Sequence, residues 1–317
     1  MAVGYRVVRT LAEVETALSA SDGDLLIVAG GTDLMVRARE RVETGPVLDV
    51  GRVAELRRVA LEDGVLVLGA GVTYAECLTH SLIRRACPLL VRVAERFGSP
   101  QIRTMATLGG NVANASPAGD GVAALWALDA RIDALTPSGP RSLAIEEVVL
   151  GPGRLGLPPG SLLTTFRVPV VVAGEGAEFY KLVNRAWPEH PMAISLASVA
   201  VRLRRHTDGR VTLARVVLGA VAPTPVRAVD AETRLVGAMP SSAVVADAAA
   251  AAAAAARPIS DVRAGADSRR DVLPALATTA LEAALRVARA SGPEWDVPPP
   301  GGGGGGEVVG TPPRPRR

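Results

Sequence analysis

Lysine is nearly absent from this sequence: of 35 basic residues, only Lys181 is not an arginine. Aromatic residues make up 3% of the chain, and there are two cysteines, Cys77 and Cys87, and three histidines, His80, His190 and His206. So few aromatics exclude nucleic-acid binding built on base stacking as the main business. Two thiols outside any C-x-x-C pair exclude an internal iron–sulfur cluster, which takes about four. The scattered histidines offer no zinc set, and the cysteines read as reduced, buried thiols of a cytoplasmic protein. No uncharged apolar stretch reaches the roughly eighteen residues of a membrane span, and "MAVGYRVVRT" lacks the signal-peptide pattern. The alanine run 248–256 reads as an ordinary helix started at Ser241 or Ser242 and stopped by Pro258. The net charge is only +3, and the clusters "LRR" (56–58) and "RLRR" (202–205) are short, so nucleic acid is no expected partner.

What is present is 317 residues with 48% hydrophobic and 21% charged content, enough for two domains and a tail around a core of Val, Leu and Ala. "TLAE" (10–13) fits a capping box with Thr10 as cap and Glu13 reaching back. A helix there precedes the strand "LLIVAG"; "PVLDV" and "GVLVLGAG" follow as strands, and "TYAECLTHSLIRRA" as one helix from Thr73. "GVAALWALDARIDAL" turns into a strand, "LGPGRLGLPPGS" is a loop, "LLTTFRVPV" is a strand, and the Gly-rich link "AGEGAE" (173–178) marks a domain boundary. Beyond it, "ISLASVAVRLRR", "HTDG" and "RVTLARVVLGAV" form an antiparallel hairpin. Two helices follow, one through the alanine run and one over 268–290. The Pro/Gly-rich residues 292–317 cannot bury enough apolar surface to order and are expected to be disordered. The expectation is an α+β protein with domains 1–174 and 175–291 and a tail 292–317.

Two segments carry the chemistry. "IVAGGTDL" (27–34) and "TLGGNVANASPAGD" (107–120) each join an apolar run to adjacent glycines and small polar residues, a pattern that exposes backbone N–H groups to an anion. Two such loops converging would hold a diphosphate from both sides. A third segment, "VLVLGAGVTYAE" (65–76), imitates a dinucleotide fingerprint, but Tyr74 stands where its third glycine belongs and no acidic residue follows about twenty positions on. It reads as a strand-to-helix turn. The sole lysine marks a place where a compact ammonium is required, or a chance survival on a surface. Asp120 can serve as a helix N-cap, and Phe97 as core or as cofactor wall.

Together these segments resemble the FAD-binding (medium) subunit of molybdenum hydroxylases, the family of carbon monoxide dehydrogenase and xanthine dehydrogenase, over residues 1–290. The resemblance implies an FAD-binding domain of the vanillyl-alcohol-oxidase / p-cresol-methylhydroxylase type followed by a small antiparallel C-terminal domain, suggested also by "LGAVAPTPVRA" and "PISDVRAGADSRRD". It implies that Ile27, Val28, Ala29, Gly30, Gly31, Thr32, Asp33 and Leu34, with Thr107, Leu108, Gly109, Gly110 and Asn111, line the diphosphate and adenosine. Asp120 would then accept from cofactor hydroxyls, and Phe97, Leu163 and Lys181 would make further contacts, the ammonium facing the flavin ring.

Some relatives carry histidine where Thr32 stands, and neither loop has Cys or His, so FAD is expected to be held non-covalently. Ser268 stands where the family often has tyrosine, a matter for local packing. The implied function is electron transfer, drawing electrons from a small [2Fe–2S] subunit that serves a large molybdenum-cofactor subunit and passing them to an external acceptor, in a dimer of heterotrimers. A stand-alone FAD-dependent oxidoreductase and a non-catalytic nucleotide-binding scaffold are the alternatives. No catalytic residue is expected on this chain.

Overall fold

The computed structural model describes residues 4–21, 25–40, 45–184 and 193–290. His190 and the tail expected over 292–317 lie outside them. The chain opens as β1 (Tyr5–Val7), α1 (Leu11–Ser19), β2 (Leu26–Val28), α2 (Leu34–Glu40) and β3 (Val47–Asp49), with the strands parallel in the order β1-β3-β2. Thr10 caps α1, its Oγ1 accepting from the Glu13 N–H at 3.2 Å, while the Glu13 carboxylate accepts from Arg9 N–H rather than from the cap residue's own amide. Parallel strands need helical crossovers, and their carboxyl ends then open onto helix N-termini, where anions bind. The segment 27–34 occupies such an end, between β2 and α2.

An antiparallel sheet follows. The hairpin of β4 (Val59–Glu62) and β5 (Val65–Gly69) turns at Asp63 and Gly64, both with positive φ as a tight two-residue hairpin requires. Five helices then run in succession: α3 (Tyr74–Thr79), α4 (Ser81–Ala86), α5 (Pro88–Glu95), α6 (Pro100–Met105) and α7 (Leu108–Asn114). The single helix expected from Thr73 is thus two. His80 adopts an extended ψ of 120° and its ring Nδ1 accepts from Leu82 N–H, ending α3 and capping α4. Thr73 and Glu76 form a complete capping box at the start of α3. After α8 (Asp120–Ala127), β6 (Arg131–Thr136) and β7 (Gly139–Ala144), the short α9 (Ile145–Val148) leads to a ribbon of β8 (Val149–Gly151) and β9 (Arg154–Leu155). β10 (Leu162–Pro169) then completes the sheet in the order β4-β5-β10-β6-β7.

The expected C-terminal sheet is β11 (Glu175–Leu182), β12 (Ala197–Arg205), β13 (Val211–Gly219) and β14 (Val226–Arg227), antiparallel in that order. β11 begins inside the "AGEGAE" segment, so the flexible part of that link is short. Alternation gives the sheet two apolar faces. Ala177, Phe179, Ala200 and Val217 pack into the core of the preceding sheets, while Val199, Val201, Leu203 and Leu218 pack under α10 (Val229–Leu235), α11 (Ser242–Ala255) and α12 (Ala266–Ala290). Ser241 caps α11 through Val244 N–H, as the alanine run predicts. Helix α8 lies against β13, where a Cβ on Gly219 would make only ordinary contact with Ala123 but would overlap Ser198 Oγ. This helix carries Asp120 at its first turn.

Candidate functional site

The two glycine loops meet in one cleft. It is lined by Ile27–Leu34, Arg37, Phe97, Ala106, Thr107, Gly110, Asn111, Ala113 and Asn114. Gly30 is required by packing: a Cβ there would overlap the Met105 carbonyl, so α6 can press directly on the loop. Gly31 takes φ +71°, a conformation that L side chains rarely adopt. Among the described residues, the amides of Gly31, Thr32, Asp33 and Leu34 meet no protein acceptor, and they sit at the start of α2, where the orphan N–H groups of a helix point outward.

The second loop is built differently from the first. Its Leu108 and Gly109 amides donate inward, to Val72 and Ala70 carbonyls at 2.9 and 2.8 Å, and Gly110 N–H donates to the capping Thr107 Oγ1. Gly109 is a packing glycine, since a Cβ would lie 2.7 Å from that of Ala70. Gly110 is the position where a missing side chain opens the cleft; a Cβ there meets nothing but Thr107 Oγ1 at 2.9 Å. The picture of two equal amide cradles is therefore corrected: one loop offers free N–H groups, the other a bare surface. Leu108, Gly109 and Leu163 are not among the residues that line the cleft, the two leucines being core residues.

Asp120 and Lys181, taken separately in the sequence, are partners. Lys181 Nζ donates to Asp120 Oδ2 at 2.9 Å and to the Ala193 carbonyl at 3.3 Å, and Ser195 Oγ donates to Asp120 Oδ1 at 2.6 Å. Both side chains of the pair are 6% exposed, and neither lines the cleft. Ser195 carried no signal in the sequence, being one serine among many. Arg37 and Asn114 also escaped the sequence reading. Arg37 adds a positive charge to the cleft, and Asn114 Nδ2 donates to Asp33 Oδ1 at 3.0 Å, tying the two loops together. Desolvation raises the Asp33 carboxyl above its ordinary value, with Arg37 opposing.

A cleft with free helix-start amides, a bare glycine wall and one arginine suits a diphosphate; its apolar residues Ile27, Val28 and Phe97 suit flat rings. The profile of the FAD-binding domain in molybdopterin dehydrogenase matches residues 1–171, and that of the CO dehydrogenase flavoprotein C-terminal domain matches residues 178–284.

The chain belongs to the FAD-binding subunits of the molybdopterin dehydrogenase family.

FAD is its cofactor, and it is an oxidoreductase component. Among relatives, the nicotinate dehydrogenase FAD-subunit of Eubacterium barkeri is 32% identical over 216 residues, covering 67% of this chain and 72% of that one. The carbon monoxide dehydrogenase medium chain of Hydrogenophaga pseudoflava is 28% identical over 283 residues, or 88% and 96% of the two chains. The solved carbon monoxide dehydrogenase of the same organism superposes with a TM-score of 0.84 over 90% of this chain and 98% of that one, at 28% identity. Quinoline 2-oxidoreductase of Pseudomonas putida 86 gives 0.83 over 91% and 98%, at 27% identity. The α+β architecture expected from the sequence is the fold of this family.

Among the described residues that line the cleft there is no cysteine or histidine. Among the described residues no group of three or more His, Cys, Asp or Glu could hold a metal, and no helix is long and apolar enough to cross a membrane.

Proposed function

We propose that this chain is the electron-exit subunit of a heteromeric molybdenum hydroxylase. It would take electrons from a [2Fe–2S] partner subunit that serves a large molybdenum-cofactor subunit, and pass them to an external acceptor. The observation that carries this reading is the convergence of both glycine loops on one cleft in a chain whose only cysteines, Cys77 and Cys87, are buried free thiols. Relatives described as medium chains, FAD-subunits and subunits of dehydrogenase complexes support it. A dimer of heterotrimers, the division into domains 1–174 and 175–291 and a cytoplasmic location belong to the same proposal. Free thiols suit the last.

FAD, when bound, supplies the exchange between single electrons and electron pairs. The residues of this chain bind and orient it. The amides of Gly31 to Leu34 and the Arg37 guanidinium would receive the diphosphate, and Gly110 would let it approach the wall. Phe97 would pack at the ring system. Asp120 and Lys181, joined at the edge of the C-terminal sheet, would face the flavin end, the ammonium stabilising negative charge on the ring and the carboxylate holding the ammonium in place.

Co-expression with subunits of the two partner classes tests the reading. The expected product is a yellow complex containing one FAD per copy of this chain, whose flavin is reduced when the molybdenum subunit's substrate is added. A colourless complex would sink it. Flavin reduction by a small substrate on the isolated chain would favour a stand-alone oxidoreductase instead, and bound flavin that cannot be cycled between redox states a scaffold.

A further inference from the structure

Tyr74 belongs to the segment dismissed above as a strand-to-helix turn, yet it stands directly behind two residues of the cleft. Its ring is fully buried and stacks on Phe97 with centroids 3.7 Å apart and planes 6° from parallel. Its hydroxyl donates to Asn111 Oδ1 at 3.0 Å. Behind the hydroxyl the backbone of α8 closes in at Gly121, where an added Cβ would overlap the phenol oxygen. Phe97 and Asn111 both line the cleft; Tyr74 connects them.

The two ends of an asparagine amide have the same shape and opposite chemistry, so a partner must decide which end faces where. Here the partner is a phenol whose one hydrogen bond among the described residues is donated to Asn111 Oδ1. Turning the amide over would make the phenol accept from Nδ2 and leave its own proton buried without an acceptor, a costly arrangement. Burial also pushes the phenol well above its ordinary value of 10, so it keeps the proton it donates. Among the described residues the Asn111 Nδ2 group has no acceptor, and it is the end left for the cleft.

We infer that Tyr74 is a positioning residue: its phenol locks the Asn111 amide with the NH2 end toward the cleft, making position 111 a hydrogen-bond donor to an acceptor oxygen of the bound cofactor, while its ring fixes the plane of Phe97. This inference rests on the FAD reading of the cleft for its ligand, and on the Tyr74–Asn111 geometry for its mechanism.

The test exploits the sequence, which has three asparagines, Asn111, Asn114 and Asn184. In full-length chain carrying 15N-labelled asparagine, the side-chain amide pairs are few enough to assign, with Asn111→Asp identifying the one of interest. Tyr74→Phe keeps the ring on Phe97 and removes only the hydroxyl. The expected results are a shifted and motionally averaged Asn111 pair and FAD binding weakened about tenfold, the scale of one lost hydrogen bond to an oriented donor. Visible circular dichroism of bound flavin, which reports the Phe97 wall, should be retained.

Gly121→Ala, whose Cβ would press on both the phenol oxygen and Asn111 Oδ1, should shift the amide pair as well, so Tyr74→Phe is the variant that isolates the hydroxyl. An Asn111 pair unchanged in Tyr74→Phe would overturn the inference whatever happens to FAD. Failure of the wild-type chain to bind FAD would overturn the functional reading instead, and the amide spectrum would still decide the orientation.

Discussion

Lys181 and Asp120 are 61 positions apart in the chain and 2.9 Å apart in space, a buried ion pair that ties the edge strand β11 to the first turn of α8. Removing one partner of such a pair leaves an uncompensated buried charge, which costs far more than the pair itself contributes. Lys181→Met should therefore destabilise the chain by about 3–5 kcal/mol. Lys181→Met combined with Asp120→Asn should recover most of that loss, because the amide can still accept from Ser195. Urea titrations of the two singles and the double, read as a double-mutant cycle, check this; additive losses would mean the pair is not coupled.

Gly109 and Gly110 are neighbours with different duties, so the same kind of change should separate them. Gly110→Val places its branches in the cleft and should abolish FAD retention while far-ultraviolet circular dichroism stays native. Gly109→Val drives its side chain into Ala70 and should lower stability by several kcal/mol, in the range of overpacking. Flavin absorbance and a thermal melt on each variant distinguish the two outcomes.

His80 gives a pH dependence of known sign. Burial lowers its pKa from the ordinary 6.5, so the folded state prefers the neutral ring, and neutrality is what lets Nδ1 accept from Leu82 N–H at the start of α4. Its contribution is thus fully present above about 6.5 and is lost as pH falls through the depressed value. His80→Asn, which caps the helix without titrating in this range, should flatten the stability profile between pH 7 and 5. An unchanged slope in that variant would assign the dependence to other groups.

Arg269 is buried where α12 begins and holds three partners: the Leu196 and Ala220 carbonyls at 2.6 and 3.1 Å and Asp261 Oδ1 at 2.8 Å. A guanidinium can span these directions and an ammonium cannot. Arg269→Lys should cost about 2–3 kcal/mol, one charge-assisted hydrogen bond or more, measured as a lowered urea midpoint at constant slope. Asp261, held below the usual carboxylate range chiefly by Arg263, should stay depressed in that variant, because position 269 keeps its positive charge.

Local chemistry was legible in the sequence. Thr10, Thr73 and Ser241 announced helix starts because a cap acts over three residues, and "HTDG" announced a hairpin because a turn acts over four. The two loops could be paired only through resemblance to a family, since nothing local says that residues 30 and 110 share a cleft. The equal roles given to their glycines were wrong for a physical reason. Gly109 and Gly110 read alike in one dimension, but a helical step of about 100° turns one onto Ala70 and leaves the other at the cleft. Asp120 and Lys181 were each singled out, but their contact depends on β11 passing the start of α8, which no spacing reveals. Tyr74 was set aside because it broke one motif; its value lies in what packs on both sides of it.

A chain that keeps one lysine and buries it has an unusual chemical surface. Amine-directed acylating reagents find no exposed ε-amino group among the described residues, and trypsin can cut there only after arginine. Uptake of such a label at position 181 would therefore act as a clock for the opening of its contact with Asp120, recording each excursion in which the edge of the C-terminal sheet parts from the helix beside it.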